Sequence, residues 1–206
     1  MENTEKTEME NTEIENTEIE IMEKILITGT GRCGTTFLIK LFSFLDFDTG
    51  FTRENYKKFT PFTCNAGMEK KYKDNNYILK NPDFLINMNF IIKDEMVRLK
   101  HVIIPIRDYK KCAESRASHG ERNGGFVWGA KDMASQLTVF HTSMADYIRL
   151  MAIHDIPTIF LDFEKMIKDK KYLFEKLKPI LEEKNIGFDL FSDVYNEVSL
   201  SSRSIK

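Results

Sequence analysis

Four short apolar runs lie along the chain, and each is followed by glycine or polar residues. They cover residues 24–28, 77–80, 101–106 and 157–161. Near-continuous apolar runs of this length are typical of strands that are buried on both faces of a parallel sheet. The pattern therefore predicts four parallel strands.

Apolar residues at helical spacing separate these runs, which predicts helices over residues 36–45, 83–99, 133–151 and 172–181. The second of these helices depends on the spacing of Phe84, Met88 and Met96. Strands that alternate with helices predict an α/β fold, in which a central parallel sheet is flanked by helices.

The first 22 residues have a different character from the rest of the chain. They repeat Asn-Thr-Glu units and hold eight Glu and one Lys. Polar, like-charged repeats bury too little apolar surface to offset their ordering entropy, so we expect residues 1–22 to be a disordered or partly helical tail. The alternative is an acidic arm that binds a partner. Residues 23–206 are predicted to form one domain.

Charge and composition narrow the classes of function. Outside the tail the chain has 29 basic and 24 acidic residues, which suits a small polyanionic ligand and is too weakly basic for nucleic acid. No apolar run is long enough to cross a bilayer, and no leader peptide is apparent. The three cysteines, Cys33, Cys64 and Cys112, are too few and too scattered for a disulfide framework or a zinc site. We expect a cytoplasmic protein that binds no membrane; the pattern does not predict its oligomeric state.

The strongest local signal is the glycine-rich run GTGRCGTT at residues 29–36, between the first predicted strand and helix. Its glycines allow positive-φ turns, so that backbone amides and the helix N-terminus can bind an anion. The spacing matches the phosphate-loop pattern GxxxxGK[ST], but Thr35 stands at the lysine position and Arg32 supplies the cation. The run thus predicts a P-loop NTPase-like three-layer fold without ordinary ATP chemistry.

Two motifs resemble those of the sulfotransferases that use 3'-phosphoadenosine-5'-phosphosulfate (PAPS). Residues 32–36, RCGTT, are similar to that family's first loop, with Cys33 at the usual serine position, and Arg107 follows the third strand with Ser115 eight residues later. The resemblance covers roughly residues 24–185. It implies PAPS as co-substrate and no metal. It also implies two groups of donor-binding residues: Gly29, Gly31, Arg32, Cys33, Gly34, Thr35 and Thr36 at the 5'-phosphosulfate, and Arg107 and Ser115 at the 3'-phosphate.

The same resemblance implies which residues are catalytic. Arg32 and Lys80, at the end of the second strand, would stabilise charge on the phosphosulfate. No histidine follows Lys80, which favours the branch with a glutamate base, such as the heparan sulfate and tyrosylprotein sulfotransferases. Glu54, 22 residues beyond Arg32, is the predicted general base, with Asp83 and His119 as alternatives. Phe126 and Trp128 could stack on a ligand or anchor their loop.

The predicted function is transfer of a sulfuryl group from PAPS to an acceptor hydroxyl or amine, on a small molecule, glycan or peptide. A P-loop kinase of a nucleoside or small metabolite is one alternative, with Asp108 beside magnesium. A non-catalytic nucleotide-binding protein is another.

Overall fold

The fold is described from a computed structural model, which describes residues 21–61, 66–119 and 125–203, with the backbone alone at residues 119, 202 and 203. The predicted tail, except for its last two residues, lies outside the described residues. So do Cys64, the side chain of His119 and the start of the predicted loop before Phe126.

Four strands form one parallel sheet: β1 (Met22–Ile27), β2 (Ile78–Lys80), β3 (Val97–Ile106) and β4 (Thr158–Asp162). Their order across the sheet is β2-β1-β3-β4, so β1 lies between two neighbours. All four predicted strands are therefore confirmed, and β3 begins four residues earlier than the apolar pattern indicates.

Helices connect these strands along the chain. They are α1 (Thr35–Phe44), α2 (Phe84–Ile92), α3 (Tyr109–His119), α4 (Met133–Ile153), α5 (Phe163–Lys168), α6 (Lys170–Leu181) and α7 (Phe188–Arg203), with short 3₁₀ turns at Tyr56–Phe59 and Glu182–Lys184.

The core lies on both faces of the sheet. Ile25, Ile27 and Leu161 pack on the face that α1, α6 and α7 cover. Leu26 and Val102 point to the opposite face, which α2 and α4 cover. Because successive side chains of a strand alternate between faces, both faces need apolar residues, and this explains the continuous apolar runs. The predicted α/β fold with helices flanking a parallel sheet is confirmed.

The prediction of one helix over residues 83–99 is wrong. Helix α2 ends at Ile92, and a turn in which the Val97 amide donates to the Asp94 carbonyl leads directly into β3. The first residues of β3 pair with the start of β1, Val97 opposite Met22. Tertiary pairing of the backbone thus overrides the helical spacing of Met96, which is largely exposed. Within the described residues no helix is both long and apolar enough to cross a membrane.

Candidate functional site

The glycine loop, residues 28–34, connects β1 to α1 at the carboxyl edge of the sheet. The Asn81 amide donates to the Ile27 carbonyl at 3.1 Å, and the Thr28 hydroxyl donates to the Pro82 carbonyl at 3.1 Å. These bonds hold the turn after β2 against the glycine loop. Ligands of open α/β sheets bind at the carboxyl edge, in the crevice where the connections diverge, so this is the expected place for a site.

The backbone of the glycine loop takes left-handed turns. Gly31, Arg32 and Gly34 have φ angles of +70°, +57° and +91°. The φ of Gly34 favours glycine, and a β-carbon there would lie 2.4 Å from the Met166 methyl carbon, so that Met166 would have to move. Arg32 adopts the same region with a full side chain, which costs of order 1–3 kcal/mol and is a feature of functional loops.

Helix α1 begins at the end of this loop with Gly34 as its N-cap. No side chain caps it, and its first turn contains no acidic residue. The first-turn amides and the helix dipole therefore present partial positive charge at a point where Thr35 and Thr36 border a cavity.

The cavity beside the glycine loop has a volume of about 250 Å³. Three cationic side chains and two carboxylates border it: Arg32, Lys80, Arg116, Glu69 and Asp83. Cations exceed carboxylates, and the α1 N-terminus adds to the positive charge. The cavity can accordingly bind an oxyanion.

Lys80 ends β2 inside this site, as the sequence indicates. Its side chain is 2% exposed, and its ammonium donates to the Gly67 carbonyl at 2.9 Å and to Glu69 Oε1 at 2.5 Å. Burial lowers the pKa of Lys80, and the nearby Arg32 lowers it further, whereas Glu69 opposes both effects. A ligand anion would favour the charged ammonium.

Arg116 is a residue that the sequence analysis missed. It is 6% exposed and donates from Nη2 to the Thr30 carbonyl at 3.0 Å and from Nη1 to the Gly125 carbonyl at 3.3 Å. A β-carbon at Gly31 would lie 2.2 Å from Arg116 Nη2, so the glycine also makes room for the guanidinium. The signal in the sequence is that Arg116 directly follows Ser115. The motif used above consists of Arg107 and Ser115 alone and so does not include Arg116.

Arg107 and Ser115 lie outside the group of residues that border the cavity. Arg107 Nη1 donates to the Arg32 carbonyl at 2.7 Å, and its guanidinium stacks over the Phe163 ring at 4.8 Å. Arg107 Nε is buried without a hydrogen-bond partner among the described residues. Ser115 lies half-buried on α3. The structure thus places Arg107 against the back of the glycine loop. Arg107 does not reach the cavity.

The predicted base, Glu54, is not brought together with Arg32 and Lys80. It is exposed, it does not border the cavity, and a hydrogen bond with the Thr52 hydroxyl holds its pKa below the usual value. The assignment of the base to Glu54 stays a prediction. Asp83, the first alternative, borders the cavity, and its Oδ1 accepts a hydrogen bond from Trp128 Nε1 at 2.9 Å.

Cys33, a predicted donor-binding residue, and Trp128, which could stack on a ligand or anchor its loop, both have packing contacts and do not border the cavity. Cys33 is fully buried beside Cys112, and burial raises its pKa to about 12, so its thiol is protonated. Its Sγ would lie 2.9 Å from a β-carbon at Gly29, which explains that glycine. Trp128 stacks edge-on against Phe140 and therefore anchors its segment as well as reaching Asp83.

No group of three or more His, Cys, Asp or Glu side chains within the described ranges is arranged to hold a metal ion. Comparisons of this chain with protein-family models, with curated proteins and with solved structures found no match.

Proposed function

We propose that this chain is a PAPS-dependent sulfotransferase with a P-loop-like donor site, which transfers a sulfuryl group to an acceptor hydroxyl or amine. The observation that carries the proposal is the convergence of Arg32, Lys80 and Arg116 on one cavity at the uncapped N-terminus of α1. Phosphate and sulfate oxygens bind best to such fixed cations and backbone amides.

The residues that border the cavity fit the phosphosulfate end of the donor in charge and in size. The cavity is smaller than the pockets of roughly 300–1,000 Å³ that hold drug-sized ligands, so it suits the phosphosulfate end alone. Arg107, whose buried Nε has hydrogen-bonding capacity left, and Ser115 would hold the 3'-phosphate. When bound, PAPS supplies the sulfuryl group, and its 5'-phosphate oxygen is the leaving group.

The side chains in the cavity divide the remaining tasks. Arg32, Lys80 and Arg116 would stabilise negative charge that develops on the departing oxygen. The acceptor must lose a proton, and Asp83 is the carboxylate that the geometry favours, because Glu69 is engaged by Lys80. The Trp128 indole binds Asp83 Oδ1 and leaves Oδ2 to take the proton.

The kinase alternative is less well supported. Asp108 Oδ1 accepts a hydrogen bond from the Lys111 amide at 2.9 Å, so it caps the start of α3. Thr35 also occupies the position at which ordinary phosphate loops place the lysine that reaches the β and γ phosphates.

Calorimetry tests the proposal with 3',5'-bisphosphoadenosine and, separately, with ATP–magnesium. We expect the bisphosphate to bind without metal, and Arg32→Ala and Arg107→Ala each to weaken it about 10- to 150-fold, which corresponds to one charge-assisted hydrogen bond. Lys57→Ala, an exposed lysine outside the cavity, is the control. Preference for ATP–magnesium would favour the kinase, and donor binding without sulfate transfer to any acceptor would favour a non-catalytic protein.

A further inference from the structure

The two members of the Lys80–Glu69 ion pair differ in their exposure to solvent. The Lys80 side chain is 2% exposed and the Glu69 side chain 42% exposed, and both border the cavity at the glycine loop. The ammonium donates to Glu69 Oε1 at 2.5 Å and to the Gly67 carbonyl at 2.9 Å. Glu69 can therefore turn into solvent without becoming a buried unpaired charge, and the Gly67 carbonyl would still hold the ammonium.

The backbone that precedes Glu69 is fixed. Gly67 and Met68 have φ angles of +89° and +60°, and the Met68 amide donates to the Phe59 carbonyl at 3.0 Å. A β-carbon at Gly67 would lie 2.0 Å from the same carbonyl oxygen, so the turn fits glycine alone. This left-handed turn brings the Gly67 carbonyl and the Glu69 side chain to one ammonium. Glu69 can leave Lys80 by rotating its own side chain, without moving the turn.

The cavity has a surplus of positive charge, which Glu69 partly neutralises. Arg32 and Arg116 border it together with Lys80, and Asp83 is the second carboxylate. A carboxylate and a phosphate or sulfate group are both anions that accept hydrogen bonds, so Glu69 and a ligand oxyanion compete for the Lys80 ammonium. The Glu69 carboxylate thus occupies a place on Lys80 that the oxyanion would take.

We propose that Glu69 is a resident counter-ion of this site: it holds the Lys80 ammonium in place before a ligand binds, and the oxyanion of the ligand displaces it. Glu69 is a positioning residue, because it acts through Lys80. The inference rests on the proposed function, since it describes how the donor site binds its anion, but it does not depend on which donor carries the anion.

The two effects of Glu69 on anion binding have opposite signs and differ in their dependence on pH. Glu69 competes with the anion wherever it is ionised, and it also opposes the lowering of the Lys80 pKa by burial and by Arg32. Cys33, a further group near Lys80, stays protonated, since burial raises its own pKa to about 12. Without the Glu69 charge, the ammonium should lose its proton at a lower pH, and with it the attraction for an anion.

Calorimetric titration of inorganic sulfate into Glu69→Gln tests the proposal from about pH 6 to about pH 10, a range in which sulfate keeps its charge and arginines stay protonated. Glutamine keeps the shape of the side chain and removes the charge. At the lower end the variant should bind sulfate about 10-fold more tightly than the unsubstituted chain, since the competing charge is gone. Its affinity should begin to decrease at a lower pH, so this advantage should shrink as pH rises.

Asp83→Asn is the matched control. It removes a carboxylate from the same cavity border, but this carboxylate binds Trp128 and not Lys80. We expect tighter sulfate binding at every pH, with the pH at which affinity decreases unchanged. The same pH dependence in both variants would overturn the inference, and so would an affinity of Glu69→Gln at low pH that is no higher than that of the unsubstituted chain.

Two further outcomes separate the inference from the proposed function. Absence of sulfate binding in all three proteins would refute both the counter-ion and the anion site. The expected sulfate curves without any binding of 3',5'-bisphosphoadenosine would refute PAPS as the donor and support the role of Glu69.

Discussion

The two edges of the sheet differ in the balance of charge that their side chains carry. At the amino edge, where the parallel strands begin, charged side chains have partners. Lys24 donates to two carbonyls. Glu183 accepts a hydrogen bond from Tyr77 at 2.8 Å and forms an ion pair with Lys100 at 3.0 Å. At the carboxyl edge three cations face two carboxylates in one cavity. Satisfied groups stabilise a fold, whereas a surplus of one charge sign makes a site ready for a ligand. The difference supports the carboxyl edge as the place of the proposed site.

The topology explains why the surplus lies at that edge. Parallel strands all end there, and the N-terminus of α1 points its free amides at the same place. Cations at this edge therefore repel one another and the helix end until an anion binds. Substitutions of the charged side chains that border the cavity should chiefly change ligand binding and turnover, and substitutions at the amino edge should change stability alone.

The largest expected effect concerns the base. Asp83→Asn keeps the shape of the side chain and removes its capacity to take a proton, so turnover with PAPS should fall roughly 10²- to 10⁴-fold. Binding of 3',5'-bisphosphoadenosine should change little, since the proposed base would act on the acceptor and not on the donor. The matched variant Glu54→Gln, at an exposed site outside the cavity, should keep near-normal turnover. The reverse result would return the role of base to Glu54.

The second effect concerns the pair of Gly31 and Arg116. Gly31→Ala should lower the free energy of unfolding by roughly 2–5 kcal/mol, because the left-handed backbone is strained and the β-carbon displaces a bonded guanidinium. In an Arg116→Met background the same change should cost only about 1–2 kcal/mol, the backbone part. Urea unfolding of the four proteins gives the coupling. Equal costs in both backgrounds would show that the two residues act independently.

The sequence alone predicts the alternating strands and helices and the glycine turn between β1 and α1, because both follow from local patterns. Apolar runs identify the four strands, and the glycine spacing identifies the turn in which Gly31 and Gly34 have positive φ. Helix α7 was not predicted, although Phe191, Val194 and Val198 are buried at helical spacing along it. The end of α2 was misplaced, since pairing with β1 decides where β3 begins.

The site was predicted less completely than the fold, because its walls come from segments that are distant in sequence. Lys80 and Glu69 are eleven residues apart and meet only when the chain doubles back along β2. Arg116 reaches the Thr30 carbonyl across 86 positions. No spacing rule contains such contacts, and a rule of spacing from Arg32 therefore selects Glu54, whereas the fold places Asp83 in the cavity.

The smallest expected effect is the pH dependence of stability at the amino edge. His101 on β3 has a buried Nδ1 without a hydrogen-bond partner among the described residues, and burial lowers its pKa, with Glu183 opposing this effect. The unfolded chain, with a histidine pKa of about 6.5, therefore takes up the proton first as pH falls. The contribution of neutral His101 to stability should be fully present above about pH 6.5 and decrease below it, toward the lower pKa of the folded state.

Thermal melts from pH 7.5 to 5 should show a shallower decrease in melting temperature for His101→Leu than for the unsubstituted chain, with exposed His154→Leu as the control. Bisphosphate affinity should be the same in all three proteins, and a loss of affinity in His101→Leu would contradict the separation of the two edges.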